Sequence, residues 1–347
     1  MRKLTFTFLL LLAVFTSCQK EPNISTEMHE TFFLRNGDAD MPVFVRGNGQ
    51  SNVFILLLHG GPGDGALKYR NHTYSNLLEK EYAVVYWDQR HQGSSHGHLN
   101  DEDITIDNMV EDTYKLIKTL KARYGEDISL FLMGHSWGGM LGTSYMVKEN
   151  YQHELKGWID VDGAHDFPLM DIEITKLIKA VGTTEIAAGK NVEKWTTMID
   201  YVATIDTTNI SIEETTQLNQ YAAEIEALLD QLNPKSQTEL SPLGHYFLTP
   251  NNPITGTVNK SNLPDAFIEE IINTSLTDQL HKIEIPCLVQ WGRYDFKVPV
   301  TIGEQVYEKI SSTDKYLKIY EASGHSPMRF EPTAFVNDIV DFVEQHK

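Results

Sequence analysis

Cysteine is scarce: the 347 residues hold two, Cys18 and Cys287. One of them sits near the very start of the chain, so a disulfide scaffold is excluded and stability must come from a packed core. Positive charge is also short. Lys and Arg number 29 against 48 Asp and Glu, giving a formal net charge of −19. So acidic a chain gains little at a phosphate backbone, which argues against nucleic-acid partners. Long apolar runs are missing as well. The nearly apolar stretch 6–15 falls short of the ~20 residues that a spanning helix needs. There is no internal repeat and no low-complexity tract. What remains is 41% hydrophobic and 22% charged, an ordinary globular composition. The length suits two domains, or one large α/β unit carrying an insertion.

Arg2 and Lys3 precede the stretch 6–15, Thr16 and Ser17 follow it, and Cys18 comes next. A basic start, an apolar centre and small residues make an export signal. Ending in cysteine, the segment resembles a bacterial lipoprotein signal. That resemblance implies removal of residues 1–17 and lipidation of Cys18. The protein would then be exported and anchored to a bacterial membrane, facing the periplasm or the cell surface. A plain secretory signal is the competing reading. Residues 18–30 are polar and read as a tether. Cys287 lies in the apolar run 285–291 and is expected in the core, not as a nucleophile.

From residue 31 the chain alternates. Runs 31–35 and 42–46 flank Asn36-Gly37-Asp38, a hairpin signal. Continuous apolar runs follow at 53–58, 82–87, 128–133, 155–161, 287–291 and 316–320, several of them ending in Gly or Asp. Such runs fit strands buried on both faces of a parallel sheet. Between them, 106–124 places Met109, Val110, Leu116, Ile117 and Leu120 on one helical face, with Thr105 or Asp107 to cap it. Helices are also expected over 139–148, 300–310 and 333–343. Strand and helix in alternation predict a doubly wound α/β sheet. The stretch 163–281 breaks the alternation, being helical and acidic. It is expected to be a cap inserted before the last two strands, between core parts 31–162 and 282–347.

Gly134-His135-Ser136-Trp137-Gly138 joins the run 128–133 to a helix. This G-x-S-x-G turn lifts a serine hydroxyl above a sheet edge, and its glycines remove side chains that would collide there. Serine needs a base to take its proton, and His325 follows the last strand. The imidazole needs a carboxylate to orient it. Asp295 follows the preceding strand; Asp160, Asp162 and Asp166 are competing acids. His59-Gly60-Gly61-Pro62-Gly63 follows the run 53–58 and can bring a backbone N–H to a developing oxyanion. Gly61 and Trp137 are the expected donors, with His59 and Gly60 beside the substrate.

These motifs, together with Trp87-Asp88-Gln89-Arg90, Gly292-Arg293-Tyr294-Asp295 and Gly324-His325-Ser326, resemble the proline iminopeptidase family of α/β hydrolases. The likeness spans roughly 42–162 and 283–345. It implies an α/β-hydrolase fold with a mostly parallel eight-stranded sheet. It also implies a cofactor-free serine peptidase releasing an N-terminal residue, often proline, from short peptides. Asp88 and Arg90 would order a loop. Two departures stand out. His91 replaces a glycine, and Leu243-Gly244 precede His245-Tyr246-Phe247 where family members carry an amine-binding glutamate. Glu213, Glu214, Glu224 and Glu226 are the cap acids available to replace it, since a desolvated ammonium needs a buried anion. Tyr246, Phe247 and Trp195 are expected either to line an apolar cap pocket or to pack the cap core. His91, His96 and His98 lack supporting ligand spacing and read as a rim loop, with no metal expected. An esterase using the same three residues is the alternative function, and a non-catalytic ligand-binding lipoprotein a third. The oligomeric state is not legible.

Overall fold

The computed structural model describes residues 28–70, 72–98, 100–232, 259 and 263–347. Residues 1–27, with Cys18, and the 245–247 triplet, with Tyr246 and Phe247, lie outside the described residues. The described strands form one sheet. They are β1 (Met28–Asn36), β2 (Ala39–Gly47), β3 (Val53–Leu58), β4 (Ala83–Trp87), the short β5 (His96–Gly97), β6 (Ser129–His135), β7 (Gly157–Val161), β8 (Cys287–Gly292) and β9 (Lys315–Tyr320). Their order is β1-β2-β4-β3-β6-β7-β8-β9, with β5 beside β2. β1 and β2 form the antiparallel hairpin, with Asn36 opposite Ala39, and β2 in turn pairs antiparallel with β4. From β4 to β9 every pairing is parallel. This is the mostly parallel sheet of an α/β hydrolase.

The parallel strands β3, β4, β7 and β8 are buried along their whole length, the edge strand β9 only in part, and the alternation of side chains divides the core. Phe54, Leu56 and Leu58 of β3 join one apolar layer, while Val53, Ile55 and Leu57 join the other. The first layer is closed by α2 (Ile106–Tyr124) and α3 (Trp137–Val147), the second by α1 (Thr73–Glu81) and the C-terminal helix Pro332–His346. The bounds of α2 follow from its caps. The Thr105 hydroxyl accepts from Asn108 N–H at 3.2 Å, and Gly125 ends the helix at φ +125°. Helix α3 begins two residues before the expected 139, because the turn at Ser136 leads straight into it.

Between β7 and β8 lie α4 (Phe167–Ala187), α5 (Val192–Val202), α6 (Ile212–Leu232) and α7 (Asp265–Ile272). The first three bury a small core of their own, including Ile174, Ile178, Trp195, Met198, Leu218 and Ile225, whereas Phe267 and Ile271 of α7 join the first layer of the main core. Trp195 is therefore a packing residue. Helices α8 (Val300–Lys309), α9 (Pro327–Phe330) and α10 (Pro332–His346) complete the chain. Cys287 is fully buried. No described helix is long and apolar enough to cross a membrane.

Candidate active site

Strand order reverses around β3 and β6, and in such sheets ligand sites lie beyond the carboxyl ends of the strands at that point. Ser136 stands there, at the junction of β6 and α3, with φ +58° and ψ −121°. No ordinary L-residue backbone favours that region, and the turn persists because its surroundings hold it. A Cβ on Gly138 would lie 2.0 Å from the Leu58 carbonyl oxygen, and one on Gly134 would lie 2.3 Å from that of Gly138. The two glycines therefore let the elbow press against β3.

Ser136 Oγ lies 2.9 Å from His325 Nε2, and His325 Nδ1 lies 2.8 Å from Asp295 Oδ2. With Nδ1–H donated to the carboxylate, Nε2 is left to accept the serine proton. Asp295 Oδ1 accepts from the backbone N–H of Lys297 and Val298, each at 2.8 Å. Burial lowers the His325 pKa, so the resting imidazole is neutral. Burial pushes the Asp295 carboxyl up, opposed by those two N–H groups. The donor–acceptor chain matches a hydroxyl activated by an oriented base.

Trp137 is the first residue of α3, so its N–H has no acceptor within the helix. Gly61, at φ +134°, turns the loop after β3. Gln89 steadies both neighbourhoods. Its Oε1 accepts from Trp137 Nε1–H at 2.7 Å, and its Nε2–H donates to the His59 carbonyl at 3.1 Å. Gln92 accepts from Gly63 N–H at 2.7 Å. His59 is fully buried, with Nδ1 on the Gly60 carbonyl and Nε2 accepting from Gln89 N–H. Its ring thus supports the loop from beneath. Gly60 N–H donates to the Tyr69 hydroxyl, which donates to His135 Nδ1; His135 Nε2–H then donates to the His325 carbonyl. One chain of bonds therefore ties the β3 loop to the histidine loop.

Asp88 and Arg90 do not pair with each other. Asp88 accepts from Ala66 and Ser94 N–H, while Arg90 makes a two-pronged, buried ion pair with Asp112 of α2 at 2.8 and 2.7 Å. Among the competing acids, Asp166 caps α4 through Leu169 N–H and binds Ser275 and Thr277. Asp160 is buried with no described partner. Asp162 sits behind the bonded chain: its Oδ1 accepts from Gly292 N–H, and burial beside the Asp295 carboxyl pushes its pKa far up. Of the four cap acids, Glu226 reaches this region, accepting from the backbone N–H of Phe296 and His325. The sequence offers Asp162 only as one of several competing acids and Gln89 only as part of a motif, carries no signal for Tyr69, and leaves Glu226 one of four.

One group of described side chains converges closely enough to suggest a metal: His135, Asp162 and His325, with ligand atoms within 4.8 Å of one another. All four ring nitrogens already serve hydrogen bonds within the protein. The set is therefore poorly suited to a cation. His91, His96 and His98 form no such group among the described residues.

Comparisons with known proteins agree with this architecture. The family model described as "Serine aminopeptidase, S33" matches residues 49–234, more than half of the chain. The "Probable aminopeptidase YbaC" of Bacillus subtilis is 24% identical, over 90% of this chain and 96% of its own. The proline iminopeptidase of Saccharolobus solfataricus is 28% identical, over 85% and 86%. Among solved structures, a proline iminopeptidase from Mycobacterium smegmatis superimposes with a TM-score of 0.63 at 20% identity. That alignment covers 91% of this chain and 98% of that one. At that identity, the last likeness speaks to fold.

Proposed function

The chain belongs to the serine aminopeptidase family, and from that premise we propose that it is a serine hydrolase of the proline iminopeptidase type, cleaving short peptides from their N-terminus. His325 takes the Ser136 proton as Oγ attacks the scissile carbonyl. The negative charge gathering on the carbonyl oxygen meets the N–H groups of Gly61 and Trp137, and Asp295 supports the imidazolium. His325 then hands the proton to the departing amine, leaving an acyl group on Ser136. A water activated by the same imidazole hydrolyses it. No cofactor is needed for these steps. The observation that carries the reading is the unbroken Ser136–His325–Asp295 chain at 2.9 and 2.8 Å.

A fluorophosphonate probe is expected to label the wild-type protein, and Ser136→Ala to abolish labelling. Label retained in that variant removes Ser136 from the nucleophile's role. Prolyl-arylamides with free and blocked N-termini, set against short acyl esters, then test the substrate class. The esterase alternative has its own support in Leu243-Gly244, which stand where the resemblance to proline iminopeptidases implies an amine-binding glutamate. Turnover of esters with none of free-amine arylamides would favour it. For the N-terminus we propose lipid anchoring at Cys18. Cys18→Ser is expected to release the protein from membranes on fractionation, and persistent attachment refutes the anchor.

A further inference from the structure

Helix α6 of the cap reaches the buried loops of the core through the Glu226 carboxylate. Glu226 Oε1 accepts from Phe296 N–H at 3.1 Å, and both its carboxylate oxygens share His325 N–H, at 3.3 and 3.2 Å. Phe296 is the residue after Asp295, so one carboxylate holds the acid loop and the base loop together. A second contact runs the other way. The Phe296 ring is 1% exposed and belongs to the same apolar cluster as Ile225, with its centroid 6.3 Å from that of Trp195. Room for the carboxylate comes from Gly324, where a Cβ would stand 2.5 Å from Glu226 Oε2.

We propose that Glu226 is a positioning residue of the Ser136–His325–Asp295 system, making its alignment depend on the seating of α6. The inference rests on the reading of those three residues as the catalytic group, and not on the choice between peptide and ester. An ionised carboxylate on backbone N–H groups gives charge-assisted bonds, stronger than neutral ones. It also places a negative charge near the imidazole, favouring the imidazolium that forms as Ser136 attacks. Other charged or titratable groups face the same place. Asp295 and Lys297 come from the acid loop, Asp162 from the end of β7, and His135 from β6, with Arg329 of α9 beyond it. Glu226 is the one contributed by the cap among the described residues that act on His325.

The test uses the whole mature chain, with Glu226→Ala, Glu226→Gln and Gly324→Ala. The last leaves the glutamate in place but displaces its carboxylate. Initial rates are measured on a prolyl-arylamide and on a short acyl ester without an amine, alongside the rate of fluorophosphonate labelling. For Glu226→Ala, kcat and labelling are expected to fall by about tenfold or more, equally on both substrates, with KM within about twofold. Glu226→Gln, which keeps an acceptor oxygen but no charge, should recover part of the loss. Its acid limb in kcat/KM should lie at lower pH than wild type, because the charge that raises His325 is gone. Gly324→Ala should behave as Glu226→Ala does. Kinetics within twofold of wild type in both alanine variants overturn the proposal. So does a rise in KM confined to the free-amine substrate, which would make Glu226 an amine anchor. If Glu226→Ala fails to fold, the Gln and Gly324 variants decide. A wild type that labels normally but ignores prolyl-arylamides sinks the aminopeptidase reading, yet leaves this test intact on the ester and the probe.

Discussion

At Asp295 one carboxylate does two jobs: it receives the imidazole N–H of His325 and, through its other oxygen, the backbone N–H groups of Lys297 and Val298. Asparagine is nearly isosteric but presents one oxygen and one amide N–H. If the oxygen keeps the two backbone donors, the amide faces His325 Nδ1 and forces the proton onto Nε2. The imidazole then has no lone pair for Ser136. Asp295→Asn is therefore expected to lower kcat by about four orders of magnitude with little change in folding. Steady-state kinetics beside a thermal melt will check this; a loss below tenfold would point to Asp162 taking over as the orienting acid. The resemblance and the chain order bring Ser136, Asp295 and His325 to attention because each follows a recognisable strand. Asp162 follows a strand too, and only its bonding in three dimensions separates it from Asp295. It meets Gly292 N–H and the Asp295 carboxyl, not the imidazole.

The elements that carry these residues are fastened to one another by buried polar bonds. Arg90, just after β4, is 5% exposed and locks onto Asp112, 0% exposed, in the middle of α2. The pair holds the loop that contains Gln89 and Gln92, which in turn brace the β3 loop and Trp137. Replacing Arg90 by Met leaves the Asp112 carboxylate buried without its guanidinium, although Asn36 Nδ2 still reaches it. A destabilisation of about 3 kcal/mol is expected, measured by urea unfolding, because an orphaned buried charge costs more than the pair contributed. A double variant, Arg90→Met with Asp112→Leu, should recover much of it. Strands β3, β4, β6, β8 and β9 are legible beforehand as local apolar runs, and helix α2 by the spacing of its apolar residues. The bonds between them are not. Glu226 lies 99 positions from His325, and Gln89 lies 48 from Trp137; no pattern within either segment signals the other. The ring of His59 is likewise placed only by the fold: nothing in the glycine loop's sequence tells that it lies buried beneath the loop.

Over the whole molecule, buried ionisable groups pull stability in opposite directions as pH changes. Burial lowers the His59 pKa to about 4 and depresses those of His135, His165 and His325. The unfolded chain takes up protons at these sites near the ordinary histidine value, before the native state does, so they cost stability as pH falls below it. Asp160 acts the other way. Both its oxygens are buried without a described partner, and burial alone raises its pKa to about 7 from the ordinary 3.8. Between those values the native state holds a proton that the unfolded chain has lost. Stability from this group is therefore fully present below the unfolded value, falls as pH climbs through the window, and stays lost above it. It cannot easily be relieved, because Gly163 and Gly139 pack tightly on Oδ1: a Cβ on them would lie 2.0 and 2.9 Å away. Asp160→Asn keeps the shape and has no proton to lose. The stability of the variant minus that of wild type should therefore rise from about pH 5 to about pH 7, by at most about 1.4 kcal/mol per pH unit, and then level off. The histidine contributions are common to both proteins and cancel in the difference. Urea unfolding of the pair across that range reads the slope directly. A difference that stays flat with pH would mean that Asp160 is ionised in the native state throughout, held by a donor that burial alone does not reveal.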